Sequence, residues 1–328
     1  MRVSRYFAPL LLTLVALGTH PTASAEPRIV TSLKPLELLV RAIAPENAEI
    51  TSLVPAGASP HTYQMRPSQR RALADADLIF WVGPEMETFL ERLLLGSDFR
   101  EQQVALMPAV KSPGTQMDEH QPRHDHHQDE PDHLGHDGHA EHEEHGAAHH
   151  HGEGEDPHIW LDPELALTMA RAIQQELSEL PGVRPAVVAA NLQRFEQELR
   201  DAEAEIRKRL APARSISLFT YHDAFRRFAE HYGLEIQGVL TLDPERSPGA
   251  RHIAELQQKL KSRDNVCLLT EPQFNRQWWR SITEGIELTI STWDPLASEI
   301  EANAGGYVRF QQAMAEALLA CLPEQSQH

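Results

Sequence analysis

Positive charge is scarce in this 328-residue chain: 30 lysines and arginines stand against 48 aspartates and glutamates, a formal net charge of −18. That balance argues against nucleic acid and anionic membrane surfaces as partners, and it suits cations. Cysteine is scarcer still, with only Cys267 and Cys321. In an oxidising compartment such a pair reads as a disulfide rather than a metal site, two free buried thiols being the alternative. No glycine-rich phosphate loop of the Walker type occurs, so nothing marks the chain as an ATPase. No His-Glu-x-x-His segment occurs either, which removes one helix signature of a hydrolytic zinc site. The apolar run from Phe7 to Leu17 is too short to span a membrane as a mature helix.

That run has a different reading. Arg2 and Arg5 precede it and Ala23-Ser24-Ala25 follows it, the three parts of an export signal over residues 1–25 cut before Glu26. A retained anchor is the alternative, and no cysteine follows the run to carry a lipid. The mature chain is therefore expected to be soluble and periplasmic, with about 300 residues, enough for two lobes. Losing Arg2 and Arg5 takes the net charge to −20.

Between Asp118 and Asp156 lie twelve of the 19 histidines: His120, His124, His126, His127, His133, His136, His139, His142, His145, His149, His150 and His151. Thirteen carboxylates and a single cation, Arg123, share the segment, so it carries −12 and leaves about −8 for the rest. Its apolar side chains are Leu134 and three alanines, too little to offset the entropy of ordering the backbone. A mobile, solvated loop is expected over 118–156. Imidazole and carboxylate are ligands of borderline divalent metals, and the composition itself is a metal signal.

Outside the tract, strand-like and helix-like runs alternate. Arg28–Leu33, Glu49–Val54, Asp77–Val82 and Gln103–Leu106 read as strands, with helices after the first, from Pro67, and over Met86–Leu95. Asp162-Pro163 reads as an N-cap with proline at the first helical position. A long helix is expected over roughly Arg184–Ala211, with Val188, Leu192, Phe195, Leu199, Ala202, Ile206 and Leu210 at intervals of three and four. Strands at Ile216–Thr220, Glu235–Leu240, Val266–Leu269 and Leu288–Ser291 begin a second unit, closed by a helix near Tyr307–Leu319. The fold class is α/β: two parallel-sheet lobes bridged by one long α-helix, with the metal site in the cleft between them. The divisions are 26–181, 182–211 and 212–328.

Three histidines lie elsewhere, at the edges of elements: His61 in the breaker-rich Pro55–His61 loop, His158 where the tract gives way to ordered sequence, and His222 after a strand. Ligands of open α/β sheets bind at the carboxyl ends of strands. Asp294, in Thr292-Trp293-Asp294-Pro295, ends the last strand in the same manner, although an aspartate before proline also starts turns. Three neutral imidazoles plus a carboxylate or water make the four-coordinate shell Zn²⁺ prefers. Asp223 is expected to cap the next helix. His231 and His252 fall inside helices without a partner pattern and read as structural or surface residues.

Several blocks resemble the zinc-uptake periplasmic binding proteins of ABC transporters, the ZnuA type. They are Gly57-Ala58-Ser59-Pro60-His61 with Tyr63 and Arg66-Pro67-Ser68, Trp81–Glu87, Asp156–Pro163, His222-Asp223-Ala224-Phe225, Thr270–Phe274 and Asp294-Pro295-Leu296, in family order over the mature chain. The resemblance implies two α/β lobes on a rigid helix, metal ligands at His61, His158 and His222, a carboxylate ligand used by some members at Asp294, and a disulfide between Cys267 and Cys321. It also implies a His-rich insertion before the second ligand. Pro60 stands where some members carry a glutamate ligand, and Thr62 where an aspartate is often found.

The resemblance further implies capture of Zn²⁺ and delivery to an inner-membrane ABC permease whose own ATPase hydrolyses ATP, with the protein a monomer and not an enzyme. A third histidine, His222, points to zinc, since manganese and iron relatives carry a carboxylate there and Mn²⁺ favours oxygen. A manganese or iron transport protein, an adhesin or metal store, and a zinc hydrolase are the alternatives. The tract becomes an accessory set of weaker sites: it could concentrate ions near the cleft, dock a periplasmic zinc chaperone, or be an inert insertion. Deleting residues 118–155 is expected to leave one tight zinc site and remove only weaker stoichiometry, as read by isothermal titration calorimetry. Loss of the tight site with the tract would make the tract the principal binder.

Overall fold

The computed structural model describes residues 26–111, 155–241, 248–274 and 277–322. The expected signal segment and the twelve tract histidines lie outside them. The first half runs β1 (Arg28–Thr31), α1 (Lys34–Ile43), β2 (Glu49–Ser52), α2 (Pro67–Ala74), β3 (Leu78–Trp81), α3 (Thr88–Leu94), β4 (Gln103–Ala105) and α4 (Leu106–Lys111). After a 3-10 turn at Ile159–Leu161 come α5 (Pro163–Glu179) and α6 (Pro185–Arg209), then a second 3-10 turn, Ala211–Ser215. The second half runs β5 (Ser217–His222), α7 (Arg226–Tyr232), β6 (Ile236–Thr241), α8 (Ala250–Lys261), β7 (Val266–Thr270), α9 (Gln277–Thr283), β8 (Thr289–Thr292) and α10 (Gly306–Leu319).

Two four-stranded sheets result, ordered β2-β1-β3-β4 and β6-β5-β7-β8, and every pairing is parallel. The central strands β3 and β7 are buried along their whole length, as strands covered by helices on both faces must be. Both sheets change direction in the same way: the chain leaves the first strand on one side and returns on the other. The switch points therefore lie between β1 and β3, and between β5 and β7, where crevices open at the carboxyl ends. At the first, buried Glu87 accepts hydrogen bonds from Ser32 Oγ, Val82 N (3.2 Å) and Gly83 N (3.0 Å), tying the loop after β3 to the end of β1. Burial pushes its carboxyl up to about 7 against the opposing pull of those bonds.

Helix α6 spans 25 residues, about 38 Å at 1.5 Å per residue. Its expected stripe is its inner face, with Val188, Phe195, Leu199, Ala202 and Ile206 buried and Leu192 partly so. The main core is continuous across the halves: Leu36 and Leu39 of α1, Ile173 of α5, Phe195 of α6, and Tyr307 and Phe310 of α10 belong to one cluster. Smaller clusters fill the opposite faces of the two sheets. Helix α10, last in sequence, packs on α1 as well as α6. Gly306 permits that approach, since a Cβ there would stand 2.7 Å from Leu38 Cδ2 and 2.8 Å from Glu301 O. From α6, Asn191 donates to the carbonyls of Ile43 and Ala44 at the end of α1, both at 3.1 Å. Cys267 of β7 and Cys321 beyond α10 form a disulfide, Cα–Cα 5.7 Å, across 54 residues. Closing a loop of that length is worth about 4 kcal/mol in the chain-entropy account.

Two local expectations change. The residue preceding α7 is Phe225, and Asp223 instead accepts from Arg226 Nη2 at 2.6 Å, an ion pair within the turn. His252 is structural, its Nε2 donating to the carbonyls of Val239 and Leu240. His231 is more than that. Its buried ring lies between Asp162 of the α5 cap (Nδ1–Oδ1 3.4 Å) and Glu203 of α6 (Nε2–Oε1 3.0 Å), and Glu203 also pairs with Arg207 at 2.7 Å. Asp162 meanwhile caps α5 through Glu164 N and Leu165 N.

Burial lowers the His231 pKa, but the bonds and charges of Asp162 and Glu203 outweigh it and leave the pKa raised. Burial raises Asp162 and Glu203, yet His231 and, for Glu203, also Arg207 bring both below their ordinary values. The His231 contribution to stability is thus complete below its unfolded value of about 6.5 and is lost as pH rises through the raised folded value. The carboxylate contributions run oppositely, present above the ordinary carboxylate range and lost in acid as pH falls through the depressed values. His231→Gln is expected to cost on the order of 2 kcal/mol at pH 6 and clearly less at pH 8.5, measured as the thermal midpoint of metal-free protein. Equal losses at both pH values would show that the imidazolium charge contributes nothing.

Candidate metal centre

Each of the three histidines at the edges of elements is delivered by a different piece of chain. His61 lies in the loop after β2, His158 caps the 3-10 turn that leads into α5, and His222 is the last residue of β5. Their ring centroids form a near-equilateral triangle: 5.8 Å from His61 to His158, 5.9 Å from His61 to His222 and 5.5 Å from His158 to His222. One ligand nitrogen from each ring lies within 4.8 Å of the others, and among the described residues this is the group of histidine, cysteine and carboxylate side chains that could hold an ion. A tetrahedral zinc shell with bonds of about 2.0–2.1 Å sets nitrogens about 3.4 Å apart, so shifts of the order of 1 Å close the triangle. His158 and His222 are buried, and His61 is half-buried.

Carboxylates orient the two buried rings. Asp156 Oδ1 lies 2.7 Å from His158 Nδ1 and also accepts from His158 N at 3.0 Å. Glu271 Oε1 lies 2.5 Å from His222 Nδ1. With Nδ1 donating, Nε2 is left on each ring as the atom that could bind an ion, and the carboxylate raises its basicity. Glu271 directly follows β7, so the His222–Glu271 pair sits in the crevice between β5 and β7. Burial drives the Glu271 carboxyl well above the usual carboxylate range, partly offset by the charge of His158 and a backbone bond from His222. Burial also lifts Asp156, but the bond to His158 wins and leaves it lowered. Arg227 of α7 secures Asp156, donating through Nε to its carbonyl at 3.0 Å and lying 3.6 Å from Oδ2.

The space between the rings is lined by Ser59, Pro60, Trp160, Glu271, Gln273, Phe274, Pro295 and Leu296 besides the three histidines. Traced by the centre of a water-sized sphere it measures about 10 Å³, room for one water or one ion rather than an organic molecule.

A family profile described as zinc-uptake complex component A, periplasmic, matches residues 29–321. The chain belongs to this family. It is 35% identical over 321 residues to the high-affinity zinc uptake system protein ZnuA of Yersinia pestis, covering 97% of this chain and 98% of that protein. The ZnuA of Haemophilus ducreyi is 32% identical over 318 residues, covering 97% and 100%. A solved crystal structure of a ZnuA superposes with a TM-score of 0.67 at 23% identity, covering 89% of this chain and 99% of the other, a likeness of fold. Members are transport components rather than enzymes.

The fourth residue nominated from sequence, Asp294, stands differently from the histidines. Its Oδ1 accepts from Gln273 Nε2 (2.5 Å) and Leu296 N (3.0 Å), and its Oδ2 from Ser298 N (2.6 Å). It is not among the group with mutually close ligand atoms. The loop it shapes reaches the first half twice, through Trp160 Nε1 to Pro295 O at 2.7 Å and Gly57 N to Ser298 Oγ at 3.3 Å.

Sequence alone gives Asp156, Glu271, Arg227 and Gln273 no role. Asp156 had a local signal, a carboxylate two residues before a histidine. Glu271 lies 49 residues from its partner, and only the order of the strands brings them together. Glu271→Gln is expected to weaken zinc binding roughly tenfold and Glu271→Leu up to about a hundredfold, measured by competition with a chromophoric chelator at fixed pH. Unchanged affinity in both variants would show that the carboxylate does not tune the ligand.

Proposed function

We propose that this chain captures Zn²⁺ in the periplasm through His61, His158 and His222 and hands it to an inner-membrane ABC permease that works with its own ATPase. The observation that carries this reading is the convergence of three imidazoles from both halves of the fold, two of them oriented by carboxylates. An all-imidazole donor set suits Zn²⁺ better than Mn²⁺, which prefers oxygen and higher coordination. The relatives described as high-affinity zinc uptake proteins support the same cargo.

In this reading the working divisions are an export signal at 1–25, a first lobe at 26–181, the bridge at 182–211 and a second lobe at 212–328. The tract at 118–156 supplies weaker accessory sites through its twelve histidines and a contact for a periplasmic zinc chaperone. The protein works as a monomer. A zinc hydrolase finds no support in the cleft, where the space between the rings suits one ion and not an organic substrate.

Replacing His61, His158 and His222 together by alanine is expected to abolish the tight zinc site in titration calorimetry while leaving weaker binding. The same variant should fail to restore growth in zinc-limited medium to cells that depend on this protein. Tight binding that survived the triple change would move the site elsewhere.

A further inference from the structure

We infer that Gln273 presents its amide oxygen to the fourth coordination position of the ion, as acceptor for a water held there, and that Asp294 orients the amide for this task. The inference rests on the assignment of His61, His158 and His222 as ligands. Three imidazoles leave a four-coordinate ion with one position to fill, and water fills it in open sites. A bound water donates hydrogen bonds and needs an acceptor among the groups that line the cleft.

Gln273 borders the same small space as the three histidines. Which way its amide points follows from its partner: Nε2 donates to Asp294 Oδ1 at 2.5 Å, an oxygen that also accepts from Leu296 N, so a reversed amide would set oxygen against oxygen there. Asp294 is itself anchored by Leu296 N and Ser298 N. The opposite end of the amide, Oε1, is buried and has no hydrogen-bond partner among the described residues. Buried acceptors are rarely left in that state without a ligand or water to satisfy them. Of the other polar groups bordering the space, Glu271 already spends Oε1 on His222 Nδ1, and the Ser59 hydroxyl, buried and without a partner among the described residues, is a rival acceptor. Gln273 is therefore a positioning residue, and Asp294 acts on the ion through it rather than as a ligand.

The test compares zinc affinity by chelator competition, and the visible spectrum of Co²⁺-loaded protein, across wild type, Gln273→Met, Gln273→Ala and the triple histidine variant. Both Gln273 variants are expected to bind zinc roughly tenfold more weakly. Their Co²⁺ bands should keep four-coordinate intensity but shift in position, a change that general loosening of the fold does not produce. In the Gln273→Met background, adding Asp294→Asn should deepen the loss by no more than about twofold, as expected for two residues that act as one unit. Wild-type affinity and spectra in both Gln273 variants would overturn the inference. A further tenfold loss on adding Asp294→Asn would make Asp294 an independent contact to the ion and overturn its assigned role. If the triple histidine variant still binds tightly, the cleft assignment itself fails. If that variant loses binding while Gln273→Met behaves as wild type, only the present inference falls.

Discussion

Trp160 is held at three points, and through them it joins the two halves of the molecule. Its indole N–H donates to Pro295 O in the loop after β8, its carbonyl accepts from Tyr307 of α10 at 2.7 Å, and its ring lies edge-on to His158 at 5.4 Å. Gln311 completes the cluster by donating to Tyr307 Oη at 2.9 Å. Every polar atom in this junction is buried, so each bond would leave a costly orphan if the halves separated. A tryptophan two residues beyond a candidate ligand histidine thus fixes where that histidine stands relative to the opposite lobe.

The surrounding core extends the constraint. One hydrophobic cluster runs through α1, α5, α6 and α10, and α10 reaches back across the long helix to pack on α1. Wide hinge opening would expose that shared surface to water, a large cost against a typical net stability of about 5–15 kcal/mol. The short loops that carry His61 and Asp294 are joined across the cleft by the Gly57–Ser298 bond. The ionic group of Asp162, Glu203, Arg207 and His231 adds a polar brace on the same bridging helix.

Much of this architecture was legible in the chain. Alternating strand-like and helix-like runs announced two parallel α/β units, and the Val188–Leu210 stripe announced the long helix with its buried face. His61, His158 and His222 stood out because each falls at the edge of an element, within a block that resembles the family. Asp294 stood out by the same logic, yet its carboxylate is occupied by two backbone N–H groups and Gln273. An aspartate near a proline has local donors within reach, and local bonds compete with any distant use of the side chain. His231 read as unremarkable because its partners come from α5 and α6, remote in sequence and adjacent only in the fold.

The residue pattern alone therefore settled what most segments could do: their periodicity, the Asp162 cap, and which imidazoles sat at ends of elements. Those properties depend on neighbours within a few positions, where spacing and chemistry can be read directly. The strand orders β2-β1-β3-β4 and β6-β5-β7-β8 lie beyond such reading, because a parallel crossover carries no mark of the side on which it returns. That choice put Glu271 beside His222 and Gln273 beside Asp294. Packing of α10 on α1 then brought Tyr307 to Trp160. The identity of the candidate ligands was local, but their orientation arises only where distant segments are pressed into one buried cleft.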